Sequence, residues 1–159
     1  MRVTICAVGR LRAGPERQLI DDYAQRFERT GRALGLTQLS VKEVEAKKGG
    51  VAAEAALLER AAPTQALRCC LDERGTTLTS PDFAARLAGW RDDGTQELAF
   101  FIGGADGLDP ALRATSQASI SLGKMVWPHM LARVMLCEQL YRAASILAGS
   151  PYHRIDAAR

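Results

Sequence analysis

Glu97-Leu-Ala-Phe-Phe-Ile102, Gly103-Gly-Ala-Asp-Gly-Leu108 and Asp109-Pro110 follow one another without a break. The first run is aliphatic and aromatic and is closed by glycines, the pattern of a buried strand entering a tight loop. Asp109 suits a helix N-cap and Pro110 the first helical position, where a missing N–H costs nothing. The stretch therefore predicts strand, glycine loop, helix. In an open α/β sheet such a loop lies at the carboxyl end of a strand, where ligands bind. Its glycines let backbone groups approach a ligand without a Cβ in the way. A plain strand-to-helix turn has the same signature, so the loop alone does not decide function.

Upstream, Val3–Val8 reads as another buried strand, ending at Gly9. Pro15–Thr30 places Leu19, Ile20, Tyr23, Ala24 and Phe27 on one stripe, which predicts an amphipathic helix stopped by Gly31. Leu36–Val44 reads as a strand, Val51–Ala61 as a helix closed by Pro63, and Ala66–Leu71 as a strand. Ser80–Trp90 reads as a helix stopped by Asp93-Gly94. Between the second strand and its helix, Lys47-Lys-Gly-Gly50 is a basic loop. Its ordinary role is a solvated turn, and its charge also suits a phosphate backbone. Downstream, Ile120–Trp127 reads as a final strand with a glycine bend, and Pro128 opens a helix from His129 to Ala148. This alternation predicts an α/β fold, a mostly parallel sheet flanked by helices on both faces. After the first strand, Gly9-Arg-Leu-Arg-Ala-Gly14 departs from G-x-G-x-x-G, which argues against a nucleotide-dependent dehydrogenase.

At 159 residues the chain predicts one domain, 1–159, and its 47% apolar and 25% charged content excludes disordered and fibrous classes. A net charge of +3 leaves nucleic-acid binding to a local patch. Cys6, Cys69, Cys70 and Cys137 have no C-x-x-C spacing and sit in apolar runs. They predict buried, reduced thiols rather than a metal site, in keeping with a cytoplasmic protein. Met1–Gly9 is too short for a signal peptide, and no apolar run is long enough to span a bilayer, so no membrane association is expected.

The last helix is apolar nearly all round, from Met130 and Leu131 to Ile146 and Leu147. A helix lying on one sheet shows a single stripe. This one needs cover on more sides, either at a subunit interface or at the centre of the core. Glu138, Arg142 and Ser145 share one face, with His129 and Arg133 on the opposite side. An arginine on so apolar a helix is expected to meet something polar or anionic.

Several stretches together carry a resemblance: Phe101–Leu108, Ile120-Ser-Leu122, Pro128-His129, Arg133, Glu138-Gln-Leu-Tyr-Arg142 and Ser150-Pro-Tyr-His-Arg154. They resemble the RlmH family of the SPOUT superfamily, methyltransferases acting on N3 of a pseudouridine in large-subunit (23S) ribosomal RNA. The resemblance covers the whole chain and is densest from Glu97 to Arg154. It implies a SPOUT-type α/β knot with a C-terminal trefoil knot, which periodicity does not reach and the general rule against knots opposes. It also implies a homodimer, S-adenosyl-L-methionine as methyl donor, and ribosomal RNA, on the ribosome, as partner. The donor pocket so implied comprises Leu71, Gly103, Gly104, Leu122, Gly123, Lys124, Met125, Val126 and Trp127. The chain departs from the family pattern at Ala105-Asp106, where Pro-Glu is usual, at Gly123-Lys124, at Met130 in place of proline, and in the added Ile155–Arg159.

Methyl transfer from a sulfonium needs an in-line nucleophile and excluded water, but no metal. N3 of pseudouridine must lose its proton, so the site requires a base or cations that stabilise the anion. His129, Arg142, Tyr152, His153 and Arg154 are the catalytic candidates. The last three form a tail in which an aromatic beside two basic groups suits an unpaired RNA base; a frayed terminus is the ordinary alternative. Two other readings stay open, a SPOUT methyltransferase for another RNA position and a non-catalytic ribosome-binding protein.

Overall fold

The computed structural model describes residues 1–154, so the Ile155–Arg159 extension lies outside the described residues. Five strands, β1 (Arg2–Val8), β2 (Gln38–Val44), β3 (Leu67–Thr77), β4 (Glu97–Ile102) and β5 (Ala118–Ser121), form one sheet in the order β2-β1-β4-β3-β5. Every pairing in it is parallel. The α-helices are α1 (Pro15–Gly31), α2 (Gly50–Ala61), α3 (Ser80–Asp92), α4 (Pro110–Thr115) and α5 (His129–Leu147), and a 3-10 turn at Arg32–Leu34 follows α1. β4 stands at the centre and is buried from Leu98 to Ile102. A strand covered on both faces has no polar side, which is why it reads as an unbroken apolar run.

Successive strand residues point to opposite faces and divide the core in two. Val3, Ile5, Cys69, Leu98 and Phe100 pack with Ile20 and Phe27 of α1, Phe83 and Leu87 of α3, and Leu136 and Leu140 of α5. On the other face Cys6, Val8, Cys70 and Phe101 pack with Leu58 of α2 and Leu112 of α4. The four cysteines are free and buried. No helix among the described residues is long and apolar enough to cross a membrane.

Two expected strand ends are corrected. The last strand ends at Ser121, not Trp127. Ser121 Oγ accepts from the Gly123 N–H at 3.1 Å and donates to the Gly123 carbonyl at 3.0 Å, and Gly123 has φ +117°, so the chain turns out of the sheet there. Met125 and Val126 are left 73% and 86% exposed. Their apolar character serves a loop, not the core. Arg133 meets polar groups, as expected of an arginine on so apolar a helix, and does so while wholly buried. α5 packs against both α1 and α3, so the cover its apolar perimeter requires comes in large part from its own chain.

β3 also runs past its expected end. Its register breaks so that Leu71 and Thr76 both meet Ile120, with Asp72–Gly75 bulged out between them. A Cβ on Gly75 would stand 2.5 Å from the Ile120 carbonyl carbon, so only glycine fits this approach.

Candidate active site

A cavity of about 330 Å³ opens at the carboxyl ends of β3, β4 and β5, a size that suits a small organic ligand. All the residues carried over as donor ligands line it except Lys124, which is exposed beside it. The glycine loop after β4 folds back on itself: the Gly107 N–H donates to the Gly104 carbonyl at 3.1 Å, and Gly107 has φ +77°. A Cβ on Gly103 would collide with the Gly107 carbonyl. Asp109 fastens the exit, its Oδ1 accepting from Ala111 N at 2.8 Å and Leu112 N at 3.3 Å. The result is a short cradle of bare backbone facing the cavity, walled by Leu71, Ile102 and Trp127.

Sequence reasoning missed Asp72 at this cavity. Its nearly buried carboxylate accepts from Arg74 N at 2.9 Å and stands 3.8 Å from Arg113 Nε. The only signal was its place directly after Leu71 at a strand end.

His129 also lines the cavity, half-buried, against the end of β1. Gly9, at φ +96°, fits there because a Cβ would come within 3.2 Å of Met130 Cε and 3.7 Å of His129 Nε2. Underneath, the buried Arg133 donates to the carbonyls of Val8 at 3.2 Å and Gly9 at 3.1 Å, and its Nη1 stands 3.8 Å from Glu43. Burial lowers the pKa of this guanidinium, with Glu43 opposing the shift.

The remaining candidates assemble elsewhere. Arg142 grips Glu138 Oε1 through Nε at 3.0 Å and Nη2 at 2.6 Å, and the Tyr152 hydroxyl donates to the same oxygen at 2.9 Å. The Tyr152 ring lies 4.5 Å from Tyr141 and 4.8 Å beneath the Arg142 guanidinium. Burial first, then the bond to Glu138, pushes the Tyr152 phenol up, so it is a donor and not a base. Arg142 Nη1 is 3.3 Å from His153 Nδ1. A guanidinium only donates, so Nδ1 is the acceptor in this contact, which leaves Nε2 as the N–H of the ring. Arg154 is exposed. The span from His129 to Arg142 is about 20 Å at the helical rise. Thus His129 sits in the cavity, while Arg142, Tyr152 and His153 form a second cluster far along the same helix. Among the described residues no group of His, Cys, Asp and Glu stands ready to hold a metal.

Residues 1–153 match the family described as "Predicted SPOUT methyltransferase". The chain belongs to the SPOUT methyltransferase family. A protein of Dinoroseobacter shibae named Ribosomal RNA large subunit methyltransferase H is 69% identical over 156 residues, covering 98% of this chain and 100% of that one. Proteins of the same name from Ruegeria sp. strain TM1040 and Cereibacter sphaeroides are 68% and 62% identical over the same shares. The all-parallel α/β sheet is the fold expected of a SPOUT methyltransferase from the sequence. Such an enzyme needs a place for a methyl donor, and the backbone cradle with its apolar walls and single buried carboxylate fits a small molecule with both polar and apolar parts.

Proposed function

We propose that this SPOUT methyltransferase transfers a methyl group from S-adenosyl-L-methionine to N3 of a pseudouridine in 23S ribosomal RNA. In this reading it works in the cytoplasm, as a homodimer of single-domain chains, on assembled large-subunit particles. The observation that carries the reading is the glycine-lined cavity at the ends of β3–β5, in a chain 69% identical throughout to a large-subunit ribosomal RNA methyltransferase. Bound there, S-adenosyl-L-methionine supplies an electrophilic methyl group. The backbone of Gly103–Gly107 and the Asp72 carboxylate hold the polar parts of the donor; Leu71, Ile102 and Trp127 exclude water. The trefoil knot belongs to this reading as what the family resemblance implies.

The proton on N3 must be removed or its loss stabilised. His129 is the imidazole within the cavity. Arg142 and the Nε2–H of His153 are donors suited to a developing anion on the base. About 20 Å of helix separates these groups within one chain, and in this reading the tail cluster of one protomer completes the cavity of the other. An apolar groove supports that pairing: Leu19, Tyr23, Leu78, Phe83, Val134 and Met135 line it, and Glu138 borders it. Two inactive variants test the arrangement, one with Gly103→Val and one lacking Tyr152 onward. Mixed and re-equilibrated, they regain methyl transfer to large-subunit particles if the site is shared. No recovery, with both variants folded, contradicts it. Calorimetric titration with S-adenosyl-L-methionine separates the enzyme from a non-catalytic ribosome-binding protein, which has no use for the donor. Identifying the methylated nucleoside separates N3 of pseudouridine from any other RNA position.

A further inference from the structure

The loop between β1 and α1, residues 9–14, is built more firmly than a surface connection requires. The Leu11 N–H donates to Glu43 Oε2 at 2.6 Å, and the Leu11 carbonyl accepts from Arg17 Nη2 at 2.7 Å. Arg17 Nη2 also reaches Glu43 Oε1 at 2.8 Å. Arg133 closes the network from below, on the carbonyls of Val8 and Gly9, with its Nε and Nη1 lacking any hydrogen-bond partner. Burying a guanidinium with part of its valence unmet is costly, and surface loops are ordinarily mobile. Here that cost fixes a loop.

The fixed Leu11 is flanked by Arg10 and Arg12, both exposed. Arg10 has a 4.0 Å contact with Glu45, itself well exposed, and Arg12 has no ion pair among the described residues. β2 is the parallel neighbour of β1, so its following loop leaves the same edge and brings the exposed Lys47 and Lys48. The donor cavity is on that edge too. Gly9 abuts His129, and a Cβ on Gly104 would stand 3.2 Å from Val8 Cγ1.

We propose that Arg10 and Arg12 form a preset arm that grips the phosphate backbone of RNA beside the cavity, with Lys47 and Lys48 extending it. The proposal rests on the RNA-substrate reading above and names where that substrate is held. A guanidinium takes a phosphate through two parallel hydrogen bonds, and an arm already ordered loses less freedom on binding. With a net charge of only +3, RNA affinity has to come from such a local concentration.

The test measures binding to large ribosomal subunits between about 50 and 200 mM salt for the wild type, R10A/R12A, R29A/R32A and Glu43→Gln. Each phosphate contact contributes about 0.7 to 0.9 to the slope of log affinity against log salt. R10A/R12A should therefore flatten the slope by roughly 1.4 to 1.8 and weaken binding more than about tenfold at low salt, with donor affinity and melting unchanged. R29A/R32A removes the same charge at the opposite sheet edge, beyond α1, and should keep the wild-type slope. Glu43→Gln keeps both arm cations but loosens the clamp, so it should weaken binding at an unchanged slope. A wild-type slope for R10A/R12A, an equal loss in R29A/R32A, or an unaffected Glu43→Gln overturns the proposal. Arm-dependent binding without methyl transfer by the wild type would instead refute the proposed chemistry and leave the arm standing.

Discussion

A glycine is kept where a side chain has nowhere to go, and Gly103 is such a position. Its missing Cβ is the space occupied by the Gly107 carbonyl, so Gly103→Ala must push the cradle open. S-adenosyl-L-methionine affinity should fall by more than about tenfold, equivalent to ~1.4 kcal/mol, with the fold retained by circular dichroism. Unchanged affinity by calorimetry would remove the cradle from the donor site. Tyr152→Phe makes a narrower cut. The ring keeps Tyr141 and Arg142, but Glu138 loses a donor. A hydrogen bond to a charged group is worth about 1.5–3 kcal/mol, so the ratio of docked to undocked tail should fall at least roughly tenfold and methyl transfer should slow. Donor binding should not change; equal loss of both would mean that the tail serves the donor. Tyr152, His153 and Arg154 were candidates through the family resemblance, and Glu138 and Arg133 stood out as charges on an apolar helix, but neither Asp72 nor the contacts of Glu138 and Arg133 could be read from the sequence. Their roles depend on partners 14 to 125 residues away in the chain, such as Tyr152 for Glu138 and Val8 for Arg133.

At the scale of elements, apolar patterning located the five strands and the four long helices, because strands buried on both faces and helices with a stripe leave strong patterns. Capping residues located α4, and the 3-10 turn at Arg32–Leu34 left no pattern. The misjudged end of β5 has a physical reason. Leu122, Met125, Val126 and Trp127 look like core but line the cavity, and a binding loop and a buried strand share one vocabulary. The perimeter of α5 was legible as a need for cover, but not that α1 and α3 of the same chain supply so much of it. α4 is only six residues long and depends on its cap. Asp109→Ala should cost about 1 kcal/mol of stability, read from the urea midpoint. It should also weaken donor binding, because the same cap ties down the cradle; a stability loss with donor affinity intact would separate the two.

For the molecule as a whole, the buried thiols set an alkaline limit. Burial pushes Cys6 up to about 11 and Cys69 and Cys137 up to about 12. Below the ordinary thiol range both folded and unfolded chains hold these protons, and the thiols add no pH dependence to stability. Above about 9 the unfolded chain releases protons that the folded chain retains, so stability falls as pH rises, by up to ~1.4 kcal/mol per pH unit for each thiol. Cys69→Ala should show a shallower decline between pH 8 and 10, each figure being about the range where a free thiol titrates; a decline as steep as the wild type would exonerate Cys69. What the protein does to RNA can be read in the cell. Nucleoside analysis of 23S ribosomal RNA, from cells with and without this gene, tests it most directly. The account predicts N3-methylpseudouridine in the first and unmethylated pseudouridine in the second, with the methyl group restored by adding back the wild type and not the Gly103→Val variant. The same methylated nucleoside at the same level in both would contradict it.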